Sequence, residues 1–225
     1  MLIANLGSGV GLDLLNVLQN SNGQISRVDN YDINPKALSL GRQLAQHLMG
    51  KGSLLPDSVV HYHEKSLTKF SGPVHLAVMV SVICGVEDRL SSILLRKVFT
   101  QLESGGHLLV SAANRHMHKS SPLTAFLAQH VGSSADPHQS WGLNFRSRET
   151  LENLLKNSGF KAIEIYDDWN YPGIEELDDE ILNGVDTLPS RILGHPHTGK
   201  PLTLPPPEIR SRREGYNWIA IAKKP

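Results

Sequence analysis

The segment Gly7-Ser8-Gly9-Val10-Gly11 constrains this chain more than any other. It follows the apolar Met1-Leu2-Ile3-Ala4, which reads as a strand. It precedes Leu12, Leu15 and Leu18, spaced at three-residue steps as on one face of a helix. Glycines between a strand and a helix let the backbone turn sharply and approach a ligand with no Cβ in the way. The plainer reading is a structural turn. The spacing also argues against one ligand class and excludes another. A dinucleotide fingerprint needs G-x-G-x-x-G, whereas this loop runs G-x-G-x-G and places Leu12 at the third glycine position, which argues against NAD and FAD. A P-loop is excluded because no Gly-Lys-Ser/Thr follows.

The segments after the loop keep alternating. Asn22-Gly23 reads as a turn and residues 25–33 as a second strand. Asn34-Pro35 reads as an N-cap with proline in the first turn of a helix through Leu38, Leu44, Ala45 and Leu48 to Gly50. Residues 59–63 form a strand candidate, and the apolar run 74–83 reads as a strand buried on both faces. Leu90, Ile93, Leu94, Val98 and Leu102 mark an amphipathic helix, which Gly105-Gly106 is expected to end before a strand over 107–113. Strands alternating with helices predict an α/β fold with a mainly parallel, doubly wound, Rossmann-like sheet between helical layers, a three-layer sandwich.

The second half is less regular. A short helix over 122–130 and a loop over 132–142 are expected, then a helix capped by Ser147 and running through Leu151, Leu154 and Leu155 to Gly159. Residues 161–166 and 217–222 read as strands. The chain reads as a single domain, 1–225, with insertions at 116–146 and 167–215. The later insertion carries Pro196, Pro201 and Pro205-Pro206-Pro207, and connections this long are usually functional or mobile. Residues 116–146 are expected to help form an acceptor pocket, and 195–215 to act as a flap.

Composition narrows the function classes. With 40% hydrophobic and 20% charged residues the chain is globular, not disordered. Its 22 basic and 22 acidic residues cancel, so no nucleic-acid partner is expected. No run of about 18 apolar residues is present, so no membrane span is expected. The lone Cys84 and the lack of a signal-peptide pattern make the cytoplasm the expected compartment. The composition leaves a homo-oligomer open.

Asp32 lies 21 residues beyond Gly11, at the end of the second strand. In doubly wound sheets an acid there accepts hydrogen bonds from a ribose diol. Its two oxygens suit two adjacent hydroxyls. The plainer role is a helix N-terminal charge favoured by the helix dipole. Glycine loop and acid together point to a nucleoside-containing cofactor.

Leu6-Gly7-Ser8-Gly9-Val10-Gly11, Tyr31-Asp32-Ile33-Asn34-Pro35 and the run from Leu102 through Gly105-Gly106 to Val110 together resemble the class I S-adenosylmethionine-dependent methyltransferases. The resemblance covers roughly residues 1–115 and returns at Asn217-Trp218-Ile219-Ala220-Ile221-Ala222. It implies a seven-stranded sheet whose last strand is antiparallel, and S-adenosylmethionine as cofactor with S-adenosylhomocysteine as product. By position it implies that Gly7, Ser8, Gly9 and Gly11 line the methionine and ribose part and that Asp32 holds the ribose hydroxyls. Ile33 packs on adenine, Glu64 or Ser66 stands near the adenine amino group, and Val80 and Ser81 lie near the methionine end. Asn5 stands where the family usually has an acid; an amide hydrogen-bonds there without supplying charge. Relatives usually carry helices upstream of the first strand; either the insertions take that role or the natural chain starts earlier. A narrower resemblance, over Asp29-Asn30-Tyr31-Asp32-Ile33-Asn34-Pro35-Lys36-Ala37, Gly85 and Ser111-Ala112-Ala113, is to nicotianamine synthases, which transfer the aminocarboxypropyl group of the same cofactor. Their upstream helical domain and its catalytic acid have no counterpart here.

The remaining candidates read more plainly. Eleven histidines include the pairs His61/His63, His116/His118 and His195/His197, but no carboxylate or cysteine accompanies them at a recognised ligand spacing, so no metal is expected and surface histidine is the reading. His116 follows the fifth strand and is the one weak candidate for a general base. Trp141, Trp169 and Tyr171 are packing or pocket-wall residues. Arg210, Arg212 and Arg213 are flanked by Glu208 and Glu214, as in a solvated loop. Cys84 reads as an inert buried residue. The expected function is methyl transfer to a small-molecule acceptor. The alternatives are aminocarboxypropyl transfer, or a non-catalytic cofactor- or partner-binding module on the same fold.

Overall fold

The structure is a computed structural model that describes residues 1–19, 21, 24–52, 54, 59–113, 144–167 and 217–225. The turn at Asn22-Gly23, the helix over 122–130, the loop over 132–142 and nearly all of both insertions lie outside the described residues. So do His116, His118, His195, His197, Trp141, Trp169, Tyr171, Arg210, Arg212 and Arg213.

The elements are β1 (Leu2–Leu6), α1 (Leu12–Gln19), β2 (Arg27–Asp32), α2 (Pro35–Gly50), β3 (Val59–Glu64), β4 (Val74–Met79), α3 (Asp88–Gln101), β5 (Leu102–Ala113), α4 (Arg148–Asn157), β6 (Lys161–Asp167) and β7 (Asn217–Lys223). They form one seven-stranded sheet in the order β3-β2-β1-β4-β5-β7-β6. β1 pairs in parallel with β2 and β4, β2 with β3, and β4 with β5. The sheet is mostly parallel with antiparallel strands at the end of the chain, the expected Rossmann-like α/β architecture.

The order turns at β1. β2 and β3 step away to one side, and the chain then crosses to β4 on the other. Right-handed crossovers therefore assign the helices of the two halves to opposite faces. One face is covered by Leu14, Leu15 and Leu18 of α1 and Ala45 of α2, packed on Ile3, Val28 and Val78. These strand residues alternate with Ala4 and Ala77, as the two-residue strand period requires. In the other half Phe99 of α3 meets Phe160, just after α4, edge-on at 5.2 Å. α2 begins as its sequence predicts: the Asn34 side chain accepts from the N–H groups of Lys36 and Ala37, and Pro35 opens the first turn.

Two boundaries differ most from expectation. The apolar run 74–83 is a strand only to Met79, because Ser81 takes a left-handed turn with φ +58°. The Gly105-Gly106 pair does not end α3. The helix stops at Gln101, and both glycines lie inside β5, where the pairing shifts from Val74↔Leu102 to Leu76↔His107. Three extra residues on β5 make this a bulge, a strand use of glycine that a helix-stop reading overlooks.

By internal contacts the chain divides into two units. Met1–Ala112, Arg148–Ile165 and Ile219–Pro225 make the first, which carries every described site residue below. In the second, the Arg146 N–H donates to the Ala113 carbonyl (2.9 Å) and the Trp218 indole to the Arg146 carbonyl (3.1 Å). Among the described residues no helix is long and apolar enough to cross a membrane.

Candidate cofactor-binding site

The site follows from the turn after β1. The N–H groups of Gly7 and Ser8 both donate to the Tyr31 carbonyl, at 2.8 and 3.1 Å, and tie the loop to β2. Gly7, Gly9 and Gly11 all have positive φ, at 70°, 53° and 76°. Their surroundings differ. A Cβ on Gly11 would lie 2.7 Å from Asn30 Oδ1, and one on Gly7 2.5 Å from Val82 Cγ2, whereas among the described residues one on Gly9 would meet nothing within 4 Å. Gly7 and Gly11 are thus packing glycines as well as turn glycines. Among the described residues Gly9 faces open space.

Asp32 fastens this turn. Its Oδ2 accepts from the Gly9 N–H at 2.7 Å and its Oδ1 from the Asn34 N–H at 2.9 Å. Each carboxylate oxygen has a second lone pair available. Beside it Ile33 is 72% exposed. Glu64 is exposed and pairs with Asp32 in the β2–β3 register. Ser66 is turned elsewhere: its hydroxyl caps the short 3-10 turn Leu67–Lys69 and hydrogen-bonds the Thr68 hydroxyl at 3.0 Å. Asn5 is buried at 5% exposure, and its Nδ2 donates to Asn30 Oδ1 at 3.0 Å. The pair lies beneath the start of α1, so Asn5 supports the loop from inside the sheet.

The end of β4 supplies the opposite wall. Val80 is exposed and Ser81 takes the left-handed turn. The Ser81 N–H donates to Ser111 Oγ at 2.8 Å, and the Ser81 carbonyl accepts from Cys84 Sγ at 2.8 Å. The next residue, Val82, occupies the space that a Gly7 side chain would need. The glycine loop and the β4 turn thus meet at the carboxyl ends of β1 and β4, where the strand order reverses. Open α/β sheets bind ligands at such a crevice.

Sequence reading overlooked three supports. Asn30 has no role of its own in the sequence reading, yet its Oδ1 accepts from Asn5 and lies against Gly11. Gly41, in mid-helix α2, leaves room for the Val10 carbonyl and the Tyr62 ring, and its own carbonyl accepts from the Tyr62 hydroxyl at 2.9 Å. His63 is a partnered histidine, which corrects the surface reading: its Nε2 lies 2.7 Å from Asp29 Oδ1, and its ring stacks on Tyr31 at 4.7 Å. Arg27 donates to the same carboxylate through Nε and Nη2, at 2.8 and 2.9 Å. Burial pushes the Asp29 carboxyl up, but the Arg27 and His63 hydrogen bonds and charges outweigh it and hold it below its ordinary value. Burial, then the Asp29 charge, raises the Tyr31 phenol. Among the described residues no group of three or more histidine, cysteine, aspartate or glutamate side chains could hold a metal ion.

A family profile described as a methyltransferase domain matches residues 5–165. The chain belongs to that family. The methyltransferases of this superfamily use S-adenosylmethionine. Solved structures place the fold in the same group. A possible exported protein from Bordetella parapertussis shares 16% identity and a TM-score of 0.64, over 100% of this chain and 61% of that one. Magnesium protoporphyrin IX methyltransferase from Synechocystis PCC 6803, solved with bound S-adenosylhomocysteine, shares 13% identity and a TM-score of 0.58, over 100% of this chain and 74% of that one. An S-adenosylmethionine-dependent methyltransferase from Methanosarcina mazei shares 16% identity and a TM-score of 0.58, over 99% of this chain and 92% of that one. At such identities the likeness is one of fold. The chain spans 61% of the length of the Bordetella protein. No protein of curated function matches its sequence.

Proposed function

We propose that this methyltransferase domain transfers a methyl group from S-adenosylmethionine to a small-molecule acceptor. The observation that carries the reading is the open space above Gly9, beside the Asp32 carboxylate and the exposed Ile33. These residues fit the nucleoside half of the cofactor. Asp32 has lone pairs left for the ribose hydroxyls, and Ile33 offers an apolar surface for adenine. Glu64 is the better placed of the two candidates for the adenine amino group, since Ser66 caps its own turn. Gly7, Ser8, Gly9 and Gly11 would line the ribose and methionine part, with Asn5 bracing them from below and Val80 and Ser81 at the methionine end.

When bound, S-adenosylmethionine supplies a sulfonium-activated methyl carbon. The chain's own task is then to bind, orient and exclude water. Such positioning lowers a barrier by about 7–11 kcal/mol, so no strong nucleophile is required. In this reading residues 1–225 act as one cofactor-binding domain with 116–146 and 167–215 as insertions, in the cytoplasm.

Two measurements test the proposal. Calorimetry should show binding of S-adenosylmethionine or S-adenosylhomocysteine and none of NAD. Mass spectrometry of the protein incubated with S-adenosylmethionine and candidate extracts should show a product heavier by one methyl group. A gain of one aminocarboxypropyl group would move the reading to the nicotianamine-synthase type of transfer. Cofactor binding with neither product would leave a binding module.

A further inference from the structure

We propose that Ser111 and Cys84 are positioning residues for the cofactor, acting through Ser81. The inference rests on the reading that this rim binds S-adenosylmethionine. Ser81 has φ +58° without being glycine, a conformation that costs roughly five- to thirty-fold in local population. A residue persists there only where its surroundings over-determine it. Here both backbone hydrogen-bonding groups of Ser81 are claimed by side chains. Its N–H donates to Ser111 Oγ at 2.8 Å, and its carbonyl accepts from Cys84 Sγ at 2.8 Å. Ser111 and Cys84 are 6% and 7% exposed, so both groups are fixed from inside the core. Among the described residues the Ser81 hydroxyl has no partner, so the turn is held by these two side chains and not by Ser81 itself.

The held turn has two consequences. It ends β4 and leaves Val80 exposed at the rim. It also aims Val82 at Gly7, closing the glycine loop from the β4 side. If the clamp is released, Ser81 relaxes toward negative φ, and the wall beside the loop moves. Ser111 lies in β5 and Cys84 in the short 3-10 turn Ile83–Gly85, so one clamp is a strand and the other is local. Neither side chain needs to touch the cofactor.

The test is a double-mutant cycle read by calorimetry with S-adenosylhomocysteine. Ser111→Ala should weaken binding about tenfold, equal to about 1.4 kcal/mol. The same change made on Ser81→Gly should cost less than about threefold, because glycine adopts positive φ without help. Cys84→Ala should behave in the same way with a smaller loss, and serves if Ser111→Ala does not fold. Equal losses in both backgrounds would mean that Ser111 acts directly on the ligand or on the fold at large. An unchanged affinity in both single variants would mean that the clamp does not matter. Either result overturns the proposal. A wild-type protein that binds no S-adenosylhomocysteine would instead overturn the cofactor reading, and the positioning claim with it.

Discussion

Two turns meet at the rim of the sheet, and both use left-handed backbone. The first, after β1, does so with Gly7, Gly9 and Gly11. The second, after β4, does so with Ser81. The glycine turn is favoured by its own sequence and needs only Asp32 and the Tyr31 carbonyl to fix it. The serine turn is disfavoured by its own sequence and depends on Ser111 and Cys84, 30 and 3 residues away. One rim element therefore takes its left-handed backbone from its own residue types, and the other from side chains that hold a residue type disfavoured there. This contrast can be broken from either side by adding or removing a Cβ.

The largest effect should come from Gly11→Ala. The new Cβ would lie 2.7 Å from Asn30 Oδ1, inside the buried Asn5–Asn30 pair, at a φ of 76°. Left-handed strain costs roughly 1–2 kcal/mol and overpacking roughly 1–3 kcal/mol, so stability should fall by about 2–5 kcal/mol in urea unfolding. A loss below about 1 kcal/mol would show that the loop yields easily. Next is Asp32→Ala, which removes the acceptor of the Gly9 and Asn34 N–H groups together with the expected ribose contacts. S-adenosylhomocysteine affinity should drop at least tenfold, or about 1.4 kcal/mol, with the far-ultraviolet circular dichroism retained. Unchanged affinity would place the nucleoside elsewhere.

The same contrast explains what was legible in the sequence. Glycine loops, N-caps and apolar periods are local signals, so β1, α1, α2 and the acid at Asp32 could be read directly. Asn34 even caps α2 by the expected bonds. The missed features depend on neighbours brought from afar. Ser81 ends β4 early through a residue on β5, and Gly41 makes sense only with Val10 and Tyr62 against it. His63 looked like a surface histidine because Asp29, its partner, lies 34 residues earlier in the chain. At the β5 bulge the local signal misled: Gly105-Gly106 looked like a helix stop, but the helix had already ended at Gln101.

A smaller effect concerns the strand to which the glycine turn is tied. β2 carries Asp29, whose carboxyl is held below its ordinary value of 3.8 although burial opposes this, because Arg27 and His63 bind it. A carboxyl depressed in this way stabilises the fold in full above the ordinary value, and the stability is lost as pH falls through the depressed one. Asp29→Asn should therefore cost roughly 1 kcal/mol at neutral pH, and should flatten the acid limb of the stability curve below about pH 4. Urea midpoints from pH 7 to 2.5 for both proteins check this. An acid limb as steep as that of the wild type would assign the acid sensitivity to other groups.

The smallest expected effect sharpens the comparison most. Ser81→Gly converts the tertiary turn into a local one. Two terms oppose each other. Relief of the left-handed conformation at φ +58° favours the folded state by roughly 1–2 kcal/mol. The freer unfolded chain that glycine allows opposes it by roughly 0.5–1 kcal/mol. The net should be a gain of about 0–1.5 kcal/mol, a rise in Tm of a few degrees at most for a chain of this size. The Ser81 hydroxyl makes no hydrogen bond among the described residues, so its removal costs nothing further there. Ser81→Val should do the opposite, because a β-branched residue tolerates positive φ poorly; it should lose 1 kcal/mol or more, on the order of the strain that Ser111 and Cys84 now hold. The two substitutions must move Tm in opposite directions if conformational strain governs this turn. If both lower it, the serine hydroxyl is bound in the folded protein, and the difference between the two turns is one of side-chain contacts instead of backbone preference.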